Sequence, residues 1–179
     1  DEAASAIPPN ELAKLLQDPK VAAKDLGGVA GIDRKFTQMY QEMVSLPSAK
    51  KSYRTLFLAF AESSTSPNVF HCTNGKDRTG WAAAALLTLL GVPKEQIYEE
   101  YLKSNEYLLQ LHKKTIDQFV SKGGDREIPV SIFGVKRAYL DAAFDEVNKR
   151  YGSIEKYLSE GLQIDLATQK KIRAAYLQN

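Results

Sequence analysis

One cysteine, two histidines and one tryptophan are all that this sequence of 179 residues holds of those types. A lone cysteine cannot close an intramolecular disulfide, which suits a reducing compartment such as the cytoplasm; a protein secreted to work inside a host cell fits equally. Two histidines and one cysteine are too few for a transition-metal centre, so neither a metal nor a cofactor is expected. Charge of one sign is lacking as well. The 24 basic and 22 acidic residues leave a formal net charge of +2, which speaks against a nucleic-acid partner. The longest apolar stretch, residues 81–90, is too short to span a bilayer and contains Thr88, so no stable membrane insertion is expected. The opening Asp1-Glu2-Ala3-Ala4-Ser5-Ala6 has neither positive charge nor apolar core, and no signal peptide is read there.

What is present is the composition of one ordinary domain with a real core: 44% hydrophobic and 26% charged residues. Pro8-Pro9-Asn10 reads as a stop followed by a helix cap, and Gly27, Gly28 and Gly31 as a flexible loop after which Asp33 caps the next helix. Phe36, Tyr40 and Met43 then fall at helical spacing, as do Tyr53, Leu56, Phe57 and Phe60 after the break at Pro47-Ser48. A serine-rich turn at 63–67 precedes Asn68-Val69-Phe70-His71, which reads as a short buried strand. Residues 81–90 are apolar almost all round and predict a central buried helix, closed by Gly91. Pro93 opens the next, with Ile97, Tyr101, Leu108 and Leu111 inside; a further helix is expected from about Phe133 to Arg150, and Ser153 and Asp165 as caps of two short last ones. Only one strand emerges, yet a strand buried on both faces needs partners. Either further strands go unread in this sequence, or the rest of the sheet comes from sequence outside this chain.

Between that strand and the apolar helix runs His71-Cys72-Thr73-Asn74-Gly75-Lys76-Asp77-Arg78-Thr79-Gly80, a Cys-x5-Arg loop. The thiolate is the nucleophilic form of cysteine, and a free thiol of pKa ~8.5 is mostly protonated at neutral pH. A ring of backbone N–H groups at a helix start favours an anion, whether sulfur or phosphate, and Arg78 adds a full charge. Its planar guanidinium can hold two phosphate oxygens. Gly75 supplies the turn, Gly80 lets the helix pack closely, and the Thr79 hydroxyl is placed to hydrogen-bond the sulfur. Thr73, Asn74, Gly75, Lys76, Asp77 and Arg78 are the expected phosphate-binding residues, with Lys76 at the rim where further phosphate groups could meet it. Asp77 opposes an anion unless it pairs with Lys76 or Arg78 or handles a proton. His71 can hydrogen-bond the loop backbone. These roles point to phosphomonoester hydrolysis through a phosphocysteine.

The loop resembles that of the atypical bacterial tyrosine and phosphoinositide phosphatases marked by His-Cys-x-x-Gly-Lys-Asp-Arg-Thr-Gly, within the tyrosine phosphatase superfamily. The likeness continues through Leu89-Leu90-Gly91-Val92-Pro93, Tyr101-Leu102, Tyr139-Leu140, Tyr151-Gly152-Ser153, Tyr157-Leu158 and Gly161-Leu162. It implies an α/β cysteine-phosphatase fold, with a central, mostly parallel sheet flanked by helices and the visible part mostly helical. It implies Cys72 as nucleophile, Arg78 as phosphate clamp, and Lys76 with Asp77 as a hallmark pair. Phosphotyrosine proteins, some phosphoserine or phosphothreonine proteins, and phosphoinositides are the implied substrates. The family's strand-rich beginning has no counterpart here, Lys24-Asp25-Leu26-Gly27-Gly28 being a partial echo. One phosphatase domain over 1–179 is expected, amino-terminally shortened or nicked, with a helical lid-like region at 1–46, a catalytic core at 47–179, and a separate piece of the same protein as partner.

Catalysis needs a general acid for the leaving oxygen. Asp33, more distantly Asp25, and Asp77 within the loop are the candidates, although helix cap or surface charge is the plainer role for the first two. His112-Lys113-Lys114 reads as a solvated helix face, Lys136 and Arg137 as surface, Trp81 as core, and Tyr98, Tyr101 and Tyr107 as helix packing. A phosphate-binding module that has lost activity and a sulfurtransferase are the other classes with such a loop. Retained Cys72, Arg78 and Thr79 weigh against the first, and the Gly-Lys-Asp-Arg-Thr-Gly run against the second.

Overall fold

Apolar residues recur at helical spacing through most of the chain, and helices are what they form. The structure, a computed structural model, describes residues 6–62 and 68–177. The opening at 1–5, the serine-rich turn at 63–67 and the side chain of Asn10, read above as a cap, lie outside the described residues.

Two short helices, α1 (Pro9–Leu15) and α2 (Pro19–Leu26), both start on proline, whose fixed φ suits a first turn. Gly27, in the left-handed region, ends α2 and leads at once into α3 (Gly28–Ser45). The glycines thus form no flexible loop; Gly31 is buried inside α3, and Asp33 lies within the helix instead of capping it. After these come α4 (Pro47–Glu62), α5 (Asp77–Leu89), α6 (Lys94–Leu102), α7 (Ser104–Leu111), α8 (Lys113–Ser121), α9 (Glu127–Phe133) and α10 (Arg137–Tyr151). The short α11 (Ile154–Lys156), a π-helical turn (Tyr157–Gly161) and α12 (Leu166–Tyr176) complete the chain.

The core is built around α3. Ile32, Phe36, Met39, Tyr40, Met43 and Val44 form its buried stripe, and its most extensive partner is α10, with α4, α5 and α9 also against it. The expected central helix is α5: Trp81, Ala82, Ala84, Ala85, Leu86 and Leu89 are buried. Its alanines let neighbours come close, and Trp81 meets Phe144 edge-on at 5.4 Å. Ser153 and Asp165 cap as expected, accepting from the Lys156 and Thr168 amides at 3.2 and 2.7 Å.

The expected central sheet is not formed: among the described residues every regular element is helical. Residues 68–71 are irregular and Val69 is 93% exposed. A two-residue apolar run was the basis for a buried strand there. With no second strand in the described residues to accept its hydrogen bonds, extended backbone stays in water instead. Two smaller helix expectations are also corrected. The helix after Pro93 stops at Leu102, so Leu111 lies on the separate α7, exposed along with Tyr107. The helix expected from about Phe133 to Arg150 is α10, which starts later, at Arg137, while Phe133 closes the separate α9. No described helix is long and apolar enough to cross a membrane.

Candidate active site

Helix α5 begins at Asp77, so Arg78, Thr79 and Gly80 belong to its first turn and the preceding residues curl over its amino end. Gly75 takes φ 62°, the left-handed bend that turns the chain back. At Gly80 a Cβ would sit 2.9 Å from ring carbons of Tyr101, so only glycine lets α6 approach this turn. Cys72 is half-buried, while Thr73, Asn74 and Gly75 face solvent. Burial pushes the Cys72 thiol up, but the Thr79 hydroxyl and the backbone N–H groups of Asn74, Lys76 and Thr79 outweigh it and bring the thiol down to about 7. The Thr79 hydroxyl is buried and is the foremost of the groups that lower the thiol. His71 Nδ1 donates to the Cys72 carbonyl at 3.0 Å.

Arg78 Nη2 donates to Thr73 Oγ1 at 2.9 Å, which folds the guanidinium over the loop it must serve. Tyr53 of α4 donates to the Arg78 carbonyl at 3.3 Å and so holds this turn from the other side. Beside Cys72 an apolar groove of about 320 Å³ opens between α4 and residues 70–72, walled by Met43, Tyr53, Leu56 and Phe70.

Lys76 is not at the rim. Only 4% exposed, it turns inward, and its Nζ donates to the carbonyls of Ile132 at 2.6 Å and Gly134 at 2.9 Å, with Asp77 at 3.6 Å and the Phe36 ring centroid at 4.7 Å. What draws it inward lies far along the chain: the carbonyls of Ile132 and Gly134, 56 and 58 residues on, and the Phe36 ring before it. Burial lowers its pKa, against the pull of Asp77. Asp77 accepts from Tyr40 at 3.1 Å and is ion-paired with Lys76; burial raises its pKa, which those two partners oppose. Tyr40 stands 2.6 Å from the Tyr101 hydroxyl, and because it donates to Asp77 it accepts from Tyr101.

Asp33, the other acid candidate, is occupied on the α10 side of α3: Lys136 Nζ lies at 2.7 and 3.0 Å and Tyr139 donates at 2.5 Å. Lys136 and Arg137 are ion-paired, the latter with Glu95, and His112 is stacked on Phe133 at 3.9 Å. Three contributors escaped the sequence: Tyr40, Tyr53 and Phe36, all read only as helix packing or passed over. A tyrosine in an apolar stripe carries a hydroxyl that must find a partner, and that was the available signal.

A half-buried, acidified cysteine among backbone N–H groups, with an arginine in the first turn of the following helix, forms a cradle suited to an anion. The chain belongs to the tyrosine phosphatase family, whose profile matches residues 7–178. It is 28% identical over 156 residues to the triple specificity protein phosphatase PtpB of Mycobacterium tuberculosis, covering 80% of this chain and 55% of that protein. To a tyrosine-protein phosphatase of Nostoc commune it is 32% identical over 135 residues, covering 72% of this chain and 46% of that protein. The chain spans about half the length of the curated relatives it matches.

Proposed function

We propose that this chain carries the catalytic machinery of a cysteine-dependent phosphatase acting on phosphotyrosine proteins, with phosphoserine, phosphothreonine and phosphoinositides as further substrates. The observation that carries it is the Cys72 thiol, brought down to about 7 by the loop's own donors, so that at neutral pH a nucleophile and an anion cradle coexist. The thiolate attacks phosphorus, forming the S–P bond as the ester P–O bond breaks. The leaving oxygen takes a proton from Asp77, the loop carboxyl whose burial favours the protonated form. Water then attacks the phosphocysteine, Asp77 recovers its proton from it, the S–P bond breaks, and inorganic phosphate leaves. Arg78 swings from Thr73 onto two phosphate oxygens. Triple specificity is what the name of the mycobacterial relative states, and it motivates the wider substrate range.

The test is hydrolysis of an aryl phosphate by the wild-type chain and by Cys72→Ser. Turnover lost in the variant with phosphate affinity kept is expected. Turnover kept in the variant refutes the nucleophile, and a wild-type chain that binds phosphate without turning it over makes it a phosphate-binding module.

A second stretch of the same protein belongs to this reading as a partner. Val69 is almost fully exposed next to the nucleophile, the adjoining groove is apolar, and the relatives are about twice as long. Added as a separate polypeptide, that stretch is expected to bind this chain and to quench labelling at a cysteine introduced for Val69; unchanged labelling excludes it.

A further inference from the structure

Lys76 stands out as a cation that the protein takes almost wholly out of water. Burying an ammonium is unfavourable by several kcal/mol unless partners replace its hydration. Here two carbonyl oxygens, one carboxylate and an aromatic face do so, on four sides. None of the four is a solvent-facing group of the loop.

The partners are themselves fixed. Asn105 Nδ2 donates to the Val135 carbonyl at 3.0 Å and its Oδ1 accepts from the Val135 amide at 2.7 Å, pinning the α9–α10 linker whose Gly134 carbonyl holds Lys76. At Gly134 any Cβ would meet Asn105 at 2.7 Å. Phe36, under the ammonium, is stacked on Tyr139 at 5.0 Å, and Tyr139 donates to Asp33. The lysine thus connects the end of the loop to α3, the linker and α10. The charged and titratable groups facing it are Asp77, Cys72 and His112, whose own pKa is lowered first by burial and then by Lys76.

We infer that Lys76 is a positioning residue, an internal cation that fixes the phosphate loop to the α9–α10 linker and holds Asp77, and is not a ligand for substrate phosphate. A second phosphate on an inositol ring therefore gains nothing from it. Its charge also reaches Cys72 through the loop: the thiolate raises the lysine's pKa, so the ammonium stabilises the thiolate in return.

The inference rests on the hydrolase reading above only for its kinetic part. Two measurements are independent of activity. Reductive methylation read by mass spectrometry is expected to leave Lys76 unmodified with and without inorganic phosphate. Iodoacetamide titration is expected to show the Cys72 midpoint moved up in Lys76→Met and largely restored in Lys76→Arg. On an aryl phosphate and on a short-chain phosphoinositide alike, Lys76→Met is expected to lose kcat by on the order of 10²-fold, the penalty of a misplaced catalytic group, with KM little changed. Ready methylation in the free protein with protection only by phosphate overturns the inference. So does a Lys76→Met variant that raises KM for the phosphoinositide alone and leaves the thiol midpoint in place. If Lys76→Met does not fold, the methylation pattern of the wild-type chain decides. If the wild-type chain hydrolyses nothing, the hydrolase reading falls by itself, and the methylation and thiol results still decide the role of Lys76.

Discussion

The hydroxyl of Tyr40, in the middle of α3, lies 3.1 Å from a carboxylate oxygen of Asp77, the first residue of α5. A core aromatic thereby reaches the one carboxylate of the phosphate loop, and Tyr101 completes the pair from α6. Burial raises the pKa of Asp77, and the Tyr40 donor works against that rise. Tyr40→Phe removes the donor, so the Asp77 pKa is expected to climb further and the group to hold its proton to higher pH. Isotope-edited carbonyl spectroscopy of Asp77 across pH checks this; an unmoved midpoint contradicts it. The Tyr101 hydroxyl also loses its acceptor, a loss of about 1–3 kcal/mol visible as a lower Tm.

The thiol of Cys72 sits at about 7, so above that pH it is mainly thiolate and below it mainly thiol. The rate of alkylation by iodoacetamide is expected to rise through a midpoint near 7 in the folded chain and near ~8.5 in denaturant. Thr79→Ala takes away the strongest of the lowering contributions and is expected to move the folded midpoint upward. A variant that titrates with the wild type removes the hydroxyl from the account.

Much of this site was legible because it is local. Residues 71–80 contain the candidate nucleophile, the arginine, the turning glycine and the helix start, and short-range geometry brings Cys72 beneath the amides of Asn74, Lys76 and Thr79. Lys76 was not legible: its direction depends on carbonyls of Ile132 and Gly134, far along the chain, and on Phe36 before it. Asp33 failed as a cap because Gly27 turns the chain in a single residue, which starts α3 before the position that composition suggested. The helices were readable from their apolar stripes, and α5 was the clearest. The strand was misjudged because Val69 and Phe70 look apolar whether or not anything pairs with them; here Val69 meets solvent.

Gly80 is the tightest point between loop and core. Gly80→Ala places a methyl 2.9 Å from the Tyr101 ring, so α5 or α6 must shift. Overpacking of this kind is expected to cost about 1–3 kcal/mol of stability, read in a denaturant melt. Because the Tyr101 hydroxyl is bonded to Tyr40, activity toward an aryl phosphate is expected to fall with stability. A variant as stable and active as the wild type would show that this contact is slack.

Arg78 is held to Thr73 by one hydrogen bond at 2.9 Å, while its backbone carbonyl is held by Tyr53. The side chain is therefore free to exchange Thr73 for phosphate at the loss of a single bond, whereas its origin in α5 stays fixed. Arg78→Lys keeps the charge but not the planar fork, so it can meet one phosphate oxygen where the guanidinium meets two. The transition state, with charge spread over the equatorial oxygens, loses more than the ground state does. A fall in kcat of roughly 10²-fold or more is expected, the scale for losing one donor aimed at developing charge. The inhibition constant for inorganic phosphate is expected to weaken by less than that. Equal losses in both would assign Arg78 to uniform binding, and an unaffected kcat would remove it from the reaction.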